Sequence, residues 1–475
     1  MDSSFPNINV VFLIVPFPLQ SHLNQLLRLS NLISSRGFPV HYAASVVHCR
    51  QAKLRHEYTQ VNTSKIIFHE LVIPPFLSPD PSSTAKFPQH LWPATQASMN
   101  LREPVAALLS QLTKELAVVD TTRTRSRRLV IIHDPLLAYV VQDAASLPNV
   151  ESYSFNCGSA FCSFCFTCQF SGKPFPLELK PDAIPTMDNC ISPEIVKFFG
   201  LQSQFDHLGH GKLFNTCREI EGPYLDLLAQ TTTHAEEEED VHKKKKKKQW
   251  AISPLFPIIA NDDEDKAHPT LEWLDKQPPK SVIYVSFGSI TTMSHEQINE
   301  LALGLEESKQ RFLWVLRDAD RGDIFNGETR ILPLPIGFEE RVKGVGKVTR
   351  DWVPQLGILR HPSVGGFLCH CGWNSCLESL TMGVPLATWP MHSDQPHNAL
   401  LITHILKVGI PVIGWGERDQ LVTSSVIKKS VEGLMASSEG HEVRTRAEEL
   451  GKVIRQQSVQ GDFPELNSFL AYAAR

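Results

Sequence analysis

Residues 352–395 read WVPQLGILRHPSVGGFLCHCGWNSCLESLTMGVPLATWPMHSDQ, and the order of apolar runs, glycines and polar groups in this stretch decides the fold. Val364 to Leu368 is a short apolar run, and HCGWNS then opens a segment, Asn374 to Leu380, that reads as a helix, so His370 to Ser375 straddle a strand-to-helix turn. A helix N-terminus presents free backbone N–H groups. With Gly372 permitting close approach, and His370, Asn374 and Ser375 adding side-chain donors, this turn is a seat for a diphosphate. Upstream, Gly346 to Thr349 reads as a strand, and Trp352 after it offers a flat ring to a base. Glu378, one helical turn beyond Asn374, can accept from vicinal ribose hydroxyls. Gly383-Val384-Pro385 begins a second strand that ends at Trp389-Pro390, and Asp394 and Gln395 follow it. Ligands bind at the carboxyl ends of strands in open parallel sheets, and an acid beside an amide both accepts from and donates to a polyol.

Outward from this block, the N-terminus shows the same grammar. Val10 to Val15 is a strand-like run, and PFPLQSHLNQLLRLSNLISSRG reads as loop and amphipathic helix, which puts His22 near the strand's carboxyl end. A neutral imidazole, with an ordinary pKa of about 6.5, can take a proton from an attacking alcohol. Leu129 to Ile132 ends in His133-Asp134, and a carboxylate there can orient the imidazole. A lone histidine after a strand is more often a capping or surface residue; the nucleotide-type block downstream shifts the weight to catalysis. Val282 to Phe287 and Phe312 to Leu316 are further strand-like runs, and Gly288-Ser289-Ile290-Thr291 after the former supplies a second phosphate contact. Strands alternating with amphipathic segments over 475 residues predict a parallel α/β protein of two domains.

From its first Trp to its last Gln the 352–395 block resembles the signature of plant UDP-dependent family 1 glycosyltransferases. The resemblance implies a GT-B fold, with two Rossmann-like domains whose parallel sheets face a cleft. It implies that Trp352 and Val353 meet the uracil, Gln355 and Glu378 the ribose, and Ser289, His370, Asn374 and Ser375 the diphosphate. Trp373, Asp394 and Gln395 would face the sugar, and His22 with Asp134 would form the catalytic dyad. A terminal Gln is similar to that of glucose-using members and is shared by xylose-using ones, so the donor is UDP-glucose or UDP-xylose, with no metal or organic cofactor. PFPLQSHLNQLLRLS, HYAASVVHCRQAKLR, NTCREIEGPYLDLL and TMGVPLATWPMHSDQPHNA resemble the zeatin O-glycosyltransferase branch of the family, which implies the side-chain hydroxyl of a cytokinin as acceptor. A flavonoid or phenolic acceptor, or a UDP-sugar-binding protein with impaired turnover, stand as alternatives. Two positions depart from the family pattern: Ser21 where Gly usually precedes the histidine, and Pro135 after Asp134. Were positive φ required at Ser21, the strain would be about 1 kcal/mol.

The resemblance and the strand pattern together divide the chain into an acceptor domain, 1–256, a donor domain, 257–455, and a C-terminal helix, 456–475, returning to the first domain. Between the halves, Glu236 to Asp240 precede six lysines, Lys243 to Lys248; such runs do not bury themselves and read as a solvated loop. A net charge of −5 with no other massed basic residues argues against a nucleic-acid surface. MDSSFPNINV has no basic region before an apolar core, and VVFLIVPFPL is short and broken by prolines, so neither export nor membrane anchoring is expected, and a cytoplasmic monomer is. A nicotinamide-dependent enzyme is disfavoured because no G-x-G-x-x-G follows either Val10 to Val15 or Val282 to Phe287. Cys162, Cys165 and Cys168, after Cys157, give a C-x-x-C-x-x-C pattern that lacks the further ligand and proline of iron-sulfur sites and reads as apolar packing. Phe155, Phe161, Phe164 and Phe166 are expected to line the acceptor pocket or the core beneath it. His392, Asp394 and His397 have a metal-like spacing, but the resemblance gives Asp394 to the sugar.

Overall fold

The computed structural model describes residues 9–55, 64–82, 86–118, 127–172, 175, 184–234, 247–256, 268–328, 330–456 and 463–475. Residues 236–246 of the charged run and the boundary expected at Pro257 lie outside them, but the end of that run departs from the loop expected there: Lys247 Nζ donates to Asp206 O at 2.8 Å, and Lys248 opens a strand that pairs in the first sheet.

Thirteen described strands form two sheets, and every pairing in both is parallel. The first contains β1 (Val10–Val15), β2 (Val40–Ser45), β3 (Ile66–Leu71), β4 (Arg128–His133), β5 (Val150–Asn156), β6 (Gly211–Phe214) and β7 (Lys248–Ala251), in spatial order 3-2-1-4-5-6-7. The second contains β8 (Val282–Ser286), β9 (Arg311–Val315), β10 (Gly346–Thr349), β11 (Val364–Cys369), β12 (Leu386–Thr388) and β13 (Gly409–Pro411), in order 10-9-8-11-12-13. Each order is doubly wound, reversing once, at β1/β4 and at β8/β11. Strands β1, β8 and β11 are buried along their whole length, as parallel strands covered on both faces must be, and this is why they appear in the sequence as unbroken apolar runs.

The register decides what stands at each switch point. Val15 pairs with His133, so the chain leaves toward His22 and toward Asp134 from the same edge. Ser286 and Thr388 both pair with Cys369, so the segments carrying Gly288, His370 and Asp394 leave the second sheet together. One apolar cluster joins the halves: Phe161, Phe164 and Tyr224 on the first side are continuous with Phe367, Trp373 and Leu377 on the second. Helix Pro464–Ala473 lies against the first sheet, with Leu466, Phe469 and Leu470 fully buried. Phe469 meets Tyr153 at 5.1 Å and Trp250 at 5.2 Å, both edge-on.

Truncating that ring leaves an apolar cavity between helix and sheet. Phe469→Ala should therefore lower stability by about 3–5 kcal/mol, read from urea unfolding of the full chain; an unchanged midpoint would show that the C-terminal helix is not part of the cooperative core.

Candidate functional site

His22 lies in the first turn of helix Gln20–Ser35, where its backbone N–H donates to Leu19 O at 2.9 Å. Its ring is fixed edge-on against Phe17 at 5.4 Å, and its Nδ1 lies 2.6 Å from Asp134 Oδ2. Asp134 is completely buried, and both of its oxygens are held: Oδ1 accepts from the Leu136 N–H at 2.9 Å, and Oδ2 accepts from the Cys157 thiol at 3.7 Å as well as facing His22. With Nδ1–H donated to the carboxylate, the lone pair of His22 is on Nε2. Burial lowers the His22 pKa, but the charge and hydrogen bond of Asp134, with Asp394 adding to them, raise it further and leave it above 6.5.

The two departures from the family pattern are accommodated locally. Ser21 is the second residue of its helix and is not among the non-glycine residues at positive φ, so the strain expected there is absent. Pro135 begins a 3₁₀ turn, Pro135–Leu137, that Asp134 caps, a position where the missing N–H has no partner to lose.

Facing the dyad, helix Trp373–Met382 starts at the end of β11, and one cavity of about 820 Å³ is lined from both halves, by His22 and Asp134 as well as His370, Ser375, Glu378 and Asp394. His370 is clasped by two glycines: a Cβ on Gly288, which adopts φ 75°, or on Gly372 would come within 2.5 Å of its Nε2. Burial holds His370 below 6.5, with Cys369 and the Ser286 carbonyl opposing, so it is a neutral ring. Ser289 lines the same wall and is fixed through its carbonyl, which accepts from the Asp320 N–H at 2.6 Å.

The expected ribose pair is already assembled. Gln355 Nε2 donates to Glu378 Oε2 at 2.9 Å and to Ser375 Oγ at 3.1 Å, while Arg28 from the opposite half donates to Glu378 Oε1 at 3.0 Å. Trp352 lines the cleft beside the buried Val353, and two guanidinium groups lie over its ring: Arg55 at 4.2 Å and Arg317 at 4.6 Å from the centroid. Arg55 also grips Asp320 with two bonds of 2.6 and 2.9 Å. A base at Trp352 has to share that ring with them.

Asp394 Oδ2 accepts from Asn398 Nδ2 at 2.9 Å, and burial, opposed by that bond and by His22, keeps its carboxyl above the usual value. Gln395 turns its oxygen to the N–H groups of Met391 (2.8 Å) and His392 (3.1 Å), so its amide NH₂ is the group left for a ligand. Two residues differ from the expectation. Trp373 lines the cavity but is only 3% exposed, and its indole N–H donates to the Asn215 carbonyl at 2.6 Å, so that N–H is already engaged. The Asn374 amide donates to Ser21 O at 3.1 Å and accepts from Asn215 Nδ2 at 3.1 Å, so its side chain joins the halves instead of standing free for a phosphate.

The rest of the expected set sorts into core and surroundings. Phe155, Phe161 and Phe164 are core, whereas Phe166 lines the cavity. His392 pairs with Ser393 Oγ at 2.9 Å, and burial drives His392 to about 3 and His397 to about 4. Arg28, Arg55, Asn215, Asp320 and Cys157 were not legible as site residues. The one signal for Arg28 was a charge set between Leu27 and Leu29 on a helix otherwise apolar at that point.

Fold and cleft together define a GT-B transferase. Residues 8–257 match the family description "Glycosyltransferase, N-terminal domain", and residues 251–412 match "UDP-glucoronosyl and UDP-glucosyl transferase". The chain is 46% identical over 480 residues to the zeatin O-glucosyltransferase of Phaseolus lunatus, covering 100% of this chain and 99% of that one. It is 47% identical over 471 residues to the zeatin O-xylosyltransferase of Phaseolus vulgaris, covering 98% of each. The crystal structure of a UGT from Siraitia grosvenorii in complex with UDP superposes with a TM-score of 0.74 at 25% identity, over 98% of this chain and 100% of that one. This chain belongs to the UDP-dependent glycosyltransferase family and is a glycosyltransferase.

The cross-cleft ion pair has side chains only 7% exposed on each side. Removing one partner strands the other as a buried charge, so Arg28→Ala should lower stability by about 3–5 kcal/mol, and Arg28→Ala with Glu378→Gln should recover part of that loss. Additive losses in chemical denaturation would show that the two do not interact.

Proposed function

We propose that this protein is an inverting O-glycosyltransferase that moves glucose or xylose from its UDP carrier to the side-chain hydroxyl of a zeatin-type cytokinin. The observation that carries the reaction is the His22–Asp134 contact of 2.6 Å at one switch point, opening into the same cavity as the other. The near-full-length identity to zeatin O-glucosyltransferase and zeatin O-xylosyltransferase supports the acceptor and leaves both sugars in play.

In this reading the acceptor hydroxyl gives its proton to His22 Nε2 as its oxygen forms a bond to the anomeric carbon. The bond from that carbon to the diphosphate breaks on the opposite face, UDP leaves with the electron pair, and an α-linked donor gives a β-glycoside. Asp134 stabilises the imidazolium, and Asp394 lies close enough to add to it. Charge growing on the diphosphate meets Ser289, Ser375, His370 and the first amides of helix Trp373–Met382. These are N–H and O–H donors, so the step calls on no metal ion. Trp352 stacks the uracil, Gln355 and Glu378 hold the ribose, and Asp394 with the Gln395 amide hold the sugar. No described helix is long and apolar enough to cross a membrane.

A phenolic acceptor is the second reading, favoured by apolar walls at Phe17, Leu136, Phe166, Phe198 and Phe199, which select by shape. Mass-spectrometric detection of product from UDP-glucose and UDP-xylose against trans-zeatin, cis-zeatin and a flavonoid panel separates the two. Product with flavonoids alone would retain the reaction and remove the cytokinin, whereas UDP binding without turnover on any acceptor would favour a binding protein.

His22→Ala should reduce kcat by at least about a hundredfold while leaving UDP affinity intact. The raised His22 pKa favours the protonated ring, so the base is unavailable at low pH and the rate should climb as pH rises through a value above 6.5. Any stability that His22 contributes runs the other way, full below 6.5 and lost as pH rises through the folded pKa. Asp134→Asn removes the group that raises the pKa, so the acid limb should move to lower pH as the plateau falls; a limb that stays in place would remove His22 from the role of base. Trp352→Ala should weaken UDP binding by about 1–3 kcal/mol in calorimetry, and an equal affinity would dissociate that ring from the base.

A further inference from the structure

Three thiols converge directly behind the nucleotide loop. Cys369 ends β11, Cys371 lies in the turn, and Cys376 is in the first turn of helix Trp373–Met382. Their sulfurs all lie within 4.8 Å of one another, all three are free, and each residue is 0% exposed. Cys371 takes φ 65°, a conformation side chains other than glycine seldom adopt, and this folds the turn back on the strand. Its N–H then donates to Cys369 Sγ at 3.3 Å and its thiol to Cys369 O at 3.6 Å. The more conspicuous C-x-x-C-x-x-C run lies along helix Ala160–Ser171, and its three sulfurs are not among the described groups that converge to this distance.

We propose that Cys369, Cys371 and Cys376 form a binding site for a soft thiophilic centre coordinated by three sulfurs, best matched by trivalent arsenic. Sulfur-only donors select soft ions over the hard cations that prefer oxygen. Burial then selects by charge. A divalent ion held by three thiolates leaves one net negative charge at a fully buried site, whereas a trivalent one leaves none. The exchange balances without an oxidant: arsenous acid, As(OH)₃, meets three thiols, three As–O and three S–H bonds break, three As–S and three O–H bonds form, and three waters leave.

The site also touches the donor cleft. Cys371 lies between His370 and Gly372, both of which line the cavity, and its carbonyl accepts from Asn398 Nδ2 at 2.9 Å. The same nitrogen donates to Asp394. Drawing the three sulfurs together shifts the peptide that carries His370, so arsenic and UDP oppose one another, and by linkage each weakens the other equally. The thiol site stands independently of the glycosyl-transfer reading; only this coupling rests on the cleft being the nucleotide site.

The test uses the full chain and arsenite in thiol-free buffer. Intact-mass spectrometry should show one arsenic gained and three hydrogens lost per chain, retained in Cys165→Ser and abolished in Cys369→Ser and in Cys376→Ser. Because a buried serine can disturb folding, X-ray absorption at the arsenic edge of the wild-type adduct gives a second reading, expected to show three sulfur neighbours and no oxygen. An adduct that persists in both Cys369→Ser and Cys376→Ser, or arsenic with two sulfurs and an oxygen, overturns the site. Saturating UDP should weaken arsenite binding about tenfold; unchanged arsenite affinity, with UDP shown to bind, overturns the coupling alone.

Discussion

Each sheet reverses its winding at one strand pair, β1/β4 in the first and β8/β11 in the second, and the chemistry of the molecule depends on those two reversals facing each other. At a reversal the connections leave to opposite faces of the sheet, and a crevice opens at the strands' carboxyl ends. His22 follows β1, Asp134 follows β4, the Gly288 turn follows β8 and the His370 turn follows β11. The facing is maintained by polar contacts as well as by the shared apolar cluster: Arg28 to Glu378, Arg55 to Asp320, Trp373 to Asn215 and Ser159 to Asn398. A buried ion pair adds little net stability because desolvation offsets most of the attraction, but it makes misaligned states costly. Since His22 and Arg28 share helix Gln20–Ser35, the pairing that aligns the halves also places the proposed base.

Four histidines in or beside the cleft are sorted by their surroundings. His370, His392 and His397 are buried where burial dominates, and each is held in its neutral form. His22 is only half-buried, with a side chain 20% exposed, and two carboxylates outweigh its desolvation and make it the one ring of the four whose affinity for a proton is increased. Groups of one chemical type with protonation pushed in opposite directions are how a single cleft separates a base from neutral donors.

Legibility in the sequence followed burial. β1, β8 and β11 are buried along their whole length and β4 is apolar from Leu129 to Ile132, which made them readable, whereas VHYAAS, GKLF, KQWA and GIP are short or mixed and become strands only because a parallel neighbour offers its backbone. The donor motif was readable for a related reason: its polar residues belong to one strand-turn-helix, so spacing in sequence is spacing in space. Arg28, Arg55, Asp320 and Asn215 are joined to partners up to 350 positions away, and an arginine on an amphipathic helix reads as a solvent contact until the second half is in place. The cysteines show the same limit. Positions spaced by three along one helix stay near one face but are separated along its axis by roughly 4.5 Å per step, while a strand end, a turn and a helix start bring Cys369, Cys371 and Cys376 together.

The two sides of the cavity are under different physical constraints. The donor side is built from directed contacts, Gln355 to Glu378 and Ser375, and Gly288 and Gly372 around His370, in which a displaced atom leaves a buried polar group without a partner. The acceptor wall is largely aromatic and aliphatic, and one methylene more or less against such a wall is worth about 1–3 kcal/mol. Discrimination among acceptors of similar shape therefore has to come from the few polar groups set into it, such as Asn156, Ser192 and Glu194. In the proposed reaction the hydroxyl that reacts is fixed separately, because it is the one presented to His22 Nε2 that gives up its proton. On that proposal, which body binds and which oxygen is glycosylated are decided by different residues, the first by the wall and the second by the imidazole paired with Asp134.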